Sequence, residues 1–367
     1  MADRVMLTVG TRKGVFVADA AKSRSSFKLR GPFGLGVPVY TTLIDTRGTP
    51  RLYASSCNPF FGMKVLVSTD LGKSFKETKS APAFSKADGR TLANIWSLEA
   101  GGGKRELWCG VEPAALFRSH DGGDSWEMVP GISNHEHSRK WQPGAGGLCM
   151  HTIIRDGNRI HLGISTGGHY LSEDGGDTFR ASNSGVGAGF NPDPYPEFGQ
   201  CVHKIVRHDA APGRLYMQNH GGWAEWTGPG GPRPDIGVLR SDDYGRSWRS
   251  IAKGLPSDFG FPILVHPRDP DTVYVMPLEG QTRTCPGGAR GAGWHVGCRR
   301  RKPTSRCSAT RWTLITSRAP RSTLARRPAN CGSVGRVARS GNACSIRCLR
   351  FITSRSPWCS HGARMAG

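Results

Sequence analysis

The segment "SHDGGDSW", Ser119–Trp126, holds two carboxylates, two glycines and two serine hydroxyls in eight residues. It recurs as "STDLGKSF" (Ser68–Phe75), "SEDGGDTF" (Ser172–Phe179) and "SDDYGRSW" (Ser241–Trp248). These four box segments share the order Ser, any residue, Asp, any, Gly, any, Ser or Thr, then an aromatic. Their first residues lie 51, 53 and 69 positions apart. Such periods are typical of arrays and propellers, in which one repeat cannot bury its apolar face alone.

The residues around each box segment predict β-strands. "LWCGVEPAALFRS" (Leu107–Ser119) and "IHLGISTGGHYLS" (Ile160–Ser172) each contain two β-rich runs separated by a glycine-containing break. Further apolar runs begin upstream, at Ile95, Cys149 and Cys201. Short, closely spaced antiparallel strands, four to a repeat, predict an all-β fold made of β-propeller blades.

In this arrangement each box segment is the turn between the third and fourth strands of a blade. The Asp accepts backbone N–H bonds within the turn, the Gly supplies a positive φ, and the aromatic packs between blades. A calcium loop would need more oxygen ligands and a closing bidentate acid, which "SDDYGRSW" lacks. We therefore predict a structural role for the four box carboxylates, Asp70, Asp121, Asp174 and Asp243.

The box segments resemble the Asp-box, or bacterial neuraminidase (BNR), repeat of sialidases, sortilin-like receptors, xyloglucanases and photosystem assembly factors. "YPEFGQCVHKIV" (Tyr195–Val206) and "LYMQNHGG" (Leu215–Gly222) are similar to bacterial BNR-repeat proteins of the glycosyl hydrolase or exo-α-sialidase-like group. The resemblance runs from about Val5 to Gly288. A degenerate fifth copy, "GVFVADAAKSRSSF" (Gly14–Phe27), lacks the central Asp-x-Gly. We expect about seven blades in an intact relative, with six as the alternative, because another reading frame of the C-terminal segment supplies a seventh box-like end near Ser340.

The charge distribution separates a C-terminal segment from these repeats. The formal net charge is +22, but no Asp or Glu follows Glu279, whereas 17 Arg and one Lys do. An RNA-binding tail is one interpretation. The other is a frameshift near Gly287–Arg301, because Arg321–Gly335, translated in another frame, can give the blade-like string "LYFGTATGQLWVG". We favour the frameshift and predict incomplete propeller blades over 1–288 and a disordered Arg-rich tail over 289–367.

Further expectations concern location and partners. "MADRVMLTVGTRKGVFV" contains neither a signal-peptide core nor a cleavage site, and no apolar run reaches membrane length. Cys57, Cys109, Cys149 and Cys201 show no Cys-x-x-Cys spacing. We expect a cytoplasmic protein with no cofactor, no nucleic-acid partner and no membrane association, and we leave its oligomeric state open.

Candidate ligand residues follow from the alternation of hairpin ends between the two faces of a propeller. The second and third strands are joined on the face opposite the box segments, where Glu112 and Glu279 each follow a second strand. These two carboxylates are candidates for a retaining hydrolase. Candidate ligand-binding residues on the same face are Trp141, His151, His203, His220, Trp223 and Arg283. The alternative is a solvated rim with no ligand.

A shared Gly-x-Cys-x-His spacing suggests a weaker possibility. Cys149 and His151 in one repeat, and Cys201 and His203 in the next, are two residues apart and so share one side of a strand. Together they are weak candidates for a zinc site. The ordinary alternative is a buried cysteine beside a hydrogen-bonded histidine.

Sialidase chemistry has limited support in this chain. The resemblance implies an Arg triad, a Tyr nucleophile with a Glu partner and an Asp acid/base. The Arg-Ile-Pro motif of that family is absent, and Tyr195 with Glu197 is the candidate pair. Two classes stay open: a glycosidase-like enzyme that binds or hydrolyses a carbohydrate or polar small ligand, and a non-catalytic binding or scaffold propeller. A frameshifted product without activity is a third alternative.

Overall fold

The computed structural model describes residues 4–21, 23–220, 237–252, 255 and 259–278, together with the backbone of 313–316. These residues fold into strands, with one short helix, α1 (Pro130–Ser133). Among them no helix has the length and apolar character needed to cross a membrane. The chain divides into two compact units, which meet in sequence between Ser182 and Asn183.

The first unit contains four antiparallel sheets, each built from strands consecutive in sequence. The first sheet is β1 (Arg4–Thr11), β2 (Gly14–Ala21) and β3 (Lys28–Phe33); the second is β4 (Thr42–Asp45), β5 (Arg51–Asn58), β6 (Gly62–Ser68) and β7 (Lys76–Glu77). The third is β8 (Asn94–Ala100), β9 (Leu107–Glu112), β10 (Leu116–Ser119) and β11 (Glu127–Met128); the fourth is β12 (Met150–Asp156), β13 (Arg159–Ile164), β14 (Gly168–Ser172) and β15 (Arg180–Ala181).

The second unit contains two sheets of the same kind. The fifth sheet is β16 (Val202–His208), β17 (Ala211–Asn219), β18 (Gly237–Ser241) and β19 (Arg249–Ser250); the sixth is β20 (Phe259–His266), β21 (Asp269–Leu278) and β22 (Thr313–Thr316). Sequential four-stranded antiparallel sheets confirm the predicted all-β fold of propeller-type blades.

Strand β22 departs from the sequence prediction. The sequence predicts a disordered Arg-rich tail over 289–367, yet the backbone of Thr313–Thr316 pairs antiparallel with β21. The run Thr-Leu-Ile-Thr is rich in β-branched residues, which favour strands, and an open sheet edge offers unpaired N–H and C=O groups. The predicted domain boundary at 288 and the remainder of the tail lie outside the described residues.

Each box segment joins the third and fourth strands of its sheet, as predicted. The Ser ends the third strand, and its Oγ accepts the N–H of the box Gly at 2.8–2.9 Å in all four copies. That hydroxyl donates to the Asp Oδ1 at 2.7–2.9 Å. The same oxygen accepts the N–H of the second Ser or Thr at 2.9–3.0 Å. The same network thus forms in all four turns, and the structural role of the box carboxylates stays a prediction that substitution can test.

Two consecutive left-handed residues explain the box glycines. Gly72 has φ 74° and follows Leu71 at φ 60°, while Gly245 has φ 78° and follows Tyr244 at φ 62°. Two positive φ values in succession match the twist of an antiparallel hairpin and favour Gly at the second position. The sequence template missed the left-handed conformation of the preceding residue, because Leu and Tyr occupy it in two copies.

The apolar core lies between neighbouring sheets. In the first unit, Tyr53 and Val67 of the second sheet pack with Leu98 and Phe117 of the third, and the box residue Trp126 covers this cluster. In the second unit, a similar cluster joins the fifth and sixth sheets. The box aromatic therefore packs between blades, as the sequence predicts.

Candidate functional site

Glu112 lies at the end of its sheet away from the box segment. It is the last residue of β9, whereas the box segment begins at Ser119, the last residue of the antiparallel strand β10. Asn94, the first residue of β8, pairs with Glu112 across the sheet. The prediction that Glu112 lies at the non-box end of its blade is confirmed.

Two N–H donors orient the Glu112 carboxylate. Asn94 Nδ2 and Trp96 Nε1 both donate to Glu112 Oε2, at 2.9 and 2.8 Å. The other oxygen, Oε1, packs against Gly147, where an added Cβ would lie 2.1 Å from it. A partly exposed carboxylate is thus held between an amide, an indole and a glycine backbone.

An aromatic pair adjoins this carboxylate. The rings of Tyr40 and Trp96 have centroids 4.8 Å apart and are tilted by 47°. Burial raises the pKa of Tyr40, the nearby Cys57 and Glu112 raise it further, and Arg12 partly opposes them. Tyr40 therefore keeps its phenolic proton and can donate a hydrogen bond at neutral pH. We call Tyr40, Asn94, Trp96 and Glu112 the Glu112 cluster.

A second polar group occurs in the second unit, where it is surrounded by aromatic rings. The side-chain donor atoms of Cys201, His203 and His220 all lie within 4.8 Å of one another. Cys201 Sγ is 3.5 Å from His203 Nε2. The ring of His203 stacks on Phe261 at 4.4 Å, and that of His220 meets Phe259 edge-on at 4.8 Å. We call Cys201, His203 and His220 the Cys–His cluster.

The predicted residues Cys149 and His151 have other contacts. Cys149 is buried, and its Sγ is 3.4 Å from the carbonyl oxygen of Gly146. His151 Nδ1 lies 2.9 Å from the hydroxyl of Thr152. Neither is part of the Cys–His cluster, in which His220 occurs instead.

The other predicted site residues are dispersed. Tyr195 is 52% exposed, and Glu197 is exposed in the same loop between β15 and β16. Trp141 is buried and not on an exposed rim. Its Nε1 donates to the hydroxyl of the buried Tyr170 at 2.9 Å. Three candidates lie outside the described residues, namely Trp223, Glu279 and Arg283.

Sequence reasoning missed three of the four members of the Glu112 cluster. Trp96 belongs to the apolar run that predicts strand β8, and Asn94 lies directly before that run; their spacing of two residues is the available signal. Tyr40 precedes β4 and carries no motif. Only the pairing of β8 with β9 brings this strand to the carboxylate.

The sequential antiparallel sheets define an all-β protein of the β-propeller class, and the chain is similar to several solved structures. The GH74 xyloglucanase from Xanthomonas campestris is similar over 76% of this chain and 41% of its own, with 17% identity and a TM-score of 0.51. A GH74 enzyme from Niastella koreensis is 18% identical over 75% of this chain and 42% of its own, with a TM-score of 0.47. YCF48 from Cyanidioschyzon merolae is 14% identical over 75% of this chain and 92% of its own, with a TM-score of 0.37.

The likeness to the Xanthomonas campestris structure concerns the fold alone. The chain spans about two fifths of the length of the two GH74 structures. No protein-family model and no curated protein matches it.

Proposed function

We propose that the protein binds a carbohydrate, or a similarly polar small ligand, at the Glu112 cluster. The observation that carries the proposal is the oriented carboxylate of Glu112, held by Asn94 and Trp96 beside the Tyr40 ring. An aromatic face packs against the C–H groups of a sugar, while carboxylate, amide and phenol groups bind its hydroxyls.

Binding requires only the groups of this cluster, whereas hydrolysis requires more. A glycosidase of the two-carboxylate type needs a second acid about 5–10 Å from the first. Glu279, the partner predicted from the sequence, lies outside the described residues. The geometry therefore favours binding, and hydrolysis is the second arm of the test.

The assignment to Asp-box repeat proteins is part of the same proposal. The four box segments share one hydrogen-bond network, and each joins the third and fourth strands of a blade. Repeats of this kind fit the bacterial glycosyl hydrolase or exo-α-sialidase-like group that the sequence resembles. Since the Arg-Ile-Pro motif of sialidases is absent, a neutral sugar fits the proposal better than a sialic acid.

Calorimetric titration of the full chain tests the binding proposal. The ligands are xyloglucan oligosaccharides, cello-oligosaccharides and sialyllactose, with Glu112→Gln and Trp96→Phe as variants. Losing a charged hydrogen-bond partner costs about 1.5–3 kcal/mol, so we expect Glu112→Gln to bind about 10- to 100-fold more weakly. Trp96→Phe keeps the ring but removes the N–H donor and should lose less affinity.

Glu127→Gln is the matched control, because Glu127 starts β11 at the box end of the same sheet. It should bind like the wild type. Release of reducing sugar from the same ligands measures hydrolysis separately. Absence of binding to every ligand, or equal loss in Glu112→Gln and Glu127→Gln, would contradict the proposal.

A further inference from the structure

The Cys–His cluster has the donor set of a transition-metal site. A cysteine thiolate and two imidazoles are ligands that zinc and copper prefer. Typical zinc bonds are about 2.3 Å to sulfur and about 2.0 Å to nitrogen, so two ligands of a tetrahedral ion lie about 3.5 Å apart. The observed distance from Cys201 Sγ to His203 Nε2 is 3.5 Å. The pair is thus already spaced as two ligands of one ion.

The hydrogen bonding of His203 fixes the tautomer that a metal requires. His203 Nδ1 is in hydrogen-bond contact with the carbonyl oxygen of Gly260, which can only accept. Nδ1 therefore carries the proton, and the lone pair of Nε2 points to the side of Cys201. Histidines that bind metals usually donate their other ring N–H to a carbonyl or carboxylate in this manner.

The β16–β17 hairpin brings His220 to the same place. Cys201 directly precedes β16 and His220 directly follows β17, and Val202 pairs with Asn219 between them. The His220 N–H also donates to the Cys201 carbonyl oxygen at 2.7 Å. Local backbone pairing, rather than a mobile side chain, thus sets the separation of the two residues.

An apolar shell surrounds the three ligands. Phe261 stacks on His203, Phe259 contacts both histidines, and Phe190 lies 6.2 Å from His220. Cys201 is buried, whereas both histidines are partly exposed. Aromatic groups limit access of water to the metal and strengthen its bonds to the ligands, while the exposed side of the histidines provides an entry path.

We propose that Cys201, His203 and His220 bind one Zn²⁺ ion, with the fourth coordination position available to water or a small ligand. Binding displaces the thiol proton of Cys201, and no electron is transferred. The site uses residues of the second unit only, whereas the Glu112 cluster consists of residues of the first. Three protein ligands and one exchangeable position are typical of zinc sites that act on a ligand rather than only stabilise a fold.

A titration with Co²⁺, a spectroscopic substitute for Zn²⁺, tests the proposal. The protein is the full chain without an affinity tag, treated with a chelator to remove bound metal. We expect one equivalent of Co²⁺ to give a thiolate-to-metal charge-transfer band and tetrahedral d–d bands, and Zn²⁺ to displace it. Cys201→Ser should lose this equivalent, and His220→Gln should bind it more weakly. Seven other cysteines occur at or after Cys285, so the loss in Cys201→Ser is the decisive comparison.

Cys149→Ser is the matched control, because Cys149 has the same Gly-x-Cys-x-His context. It should keep the full spectrum. Circular dichroism of the metal-free variants checks folding, and the partly exposed His220 offers a substitution that should leave the core intact. A wild-type protein with no charge-transfer band would overturn the proposal, as would an unchanged band in Cys201→Ser.

Discussion

Replacing Asp121 by Ala tests the structural account of the box segments. Asp121 Oδ1 accepts hydrogen bonds from Ser119 Oγ and from the Ser125 N–H, both at 2.9 Å. Its Oδ2 accepts the Ser125 hydroxyl at 2.7 Å. Ser125 is exposed, so water can replace part of what is lost. We expect the free energy of unfolding to fall by about 1–2 kcal/mol.

The lowered pKa of Asp121 arises from the same hydrogen bonds and gives a second magnitude. Burial raises the pKa of this carboxyl, but hydrogen bonds from Ser125 and Ser119 outweigh burial and lower the pKa from 3.8 to about 2. That difference is worth about 2 kcal/mol in a buried site, and solvent around the turn reduces it to about 1 kcal/mol. Because the folded-state pKa is the lower one, this stability is present above about pH 4 and is lost as the pH falls through about 2.

Urea unfolding, followed by circular dichroism, measures these changes. Asp121→Asn keeps the Oδ1 acceptor and should cost about half as much as Asp121→Ala. Asp124→Ala is the control, because the contacts of the Asp124 carboxylate are all long: 3.4 Å from the Lys79 N–H, 3.6 Å from the Arg105 guanidinium and 3.8 Å from Lys79 Nζ. It should change stability by less than about 0.5 kcal/mol. Equal stability of the wild type and Asp121→Ala, or equal losses in Asp121→Ala and Asp124→Ala, would show that the Asp121 hydrogen bonds do not stabilise the turn.

Three further predictions concern buried groups and the site. Burial lowers the pKa of His169 from 6.5 to about 4. The free energy of unfolding should therefore be fully present above pH 6.5 and fall by about 3 kcal/mol toward pH 4. Urea unfolding of a His169→Asn variant should largely lack this pH dependence. Gly147→Ala should displace the Glu112 carboxylate, because the added Cβ would lie 2.1 Å from Oε1 at a φ of +90°, and calorimetry should show weaker sugar binding. Tyr170→Phe should cost about 1–3 kcal/mol in urea unfolding, because the buried Trp141 N–H loses its acceptor.

The architecture could be predicted from the sequence because turn chemistry is local. A Ser, an Asp and a Gly within five residues form one hydrogen-bonded turn, and four copies at blade spacing imply repeated blades. The four-residue strand β22 was not foreseen, because an acid-free, Arg-rich segment gives no blade pattern. Pairing of β22 with β21 depends on the edge of the folded sixth sheet, which cannot be recognised from the sequence of the Arg-rich segment.

For the Glu112 cluster, the sequence predicts at which end of the sheet Glu112 lies, but not which side chains surround it. Strand order places Glu112 at the non-box end, but Trp96 reaches it through the pairing of β8 with β9, which contains a register shift. The Gly-x-Cys-x-His spacing identified Cys201 and His203, yet it suggested Cys149 and His151 as their partners. The observed partner, His220, follows from hairpin closure, which motif spacing does not report.

The indole N–H signals of two tryptophans give the most direct test of the proposed ligand site. Trp96 Nε1 donates to Glu112 Oε2 at the non-box end, whereas Trp126 Nε1 donates to the Gly123 carbonyl oxygen in the box segment of the same blade. Both are observable in a ¹⁵N–¹H correlation spectrum of the full chain titrated with xyloglucan oligosaccharide. If the sugar binds at the Glu112 cluster, the Trp96 signal shifts in a saturable manner while the Trp126 signal stays in place. A saturable shift of Trp126 with an unmoved Trp96 would contradict binding at this cluster.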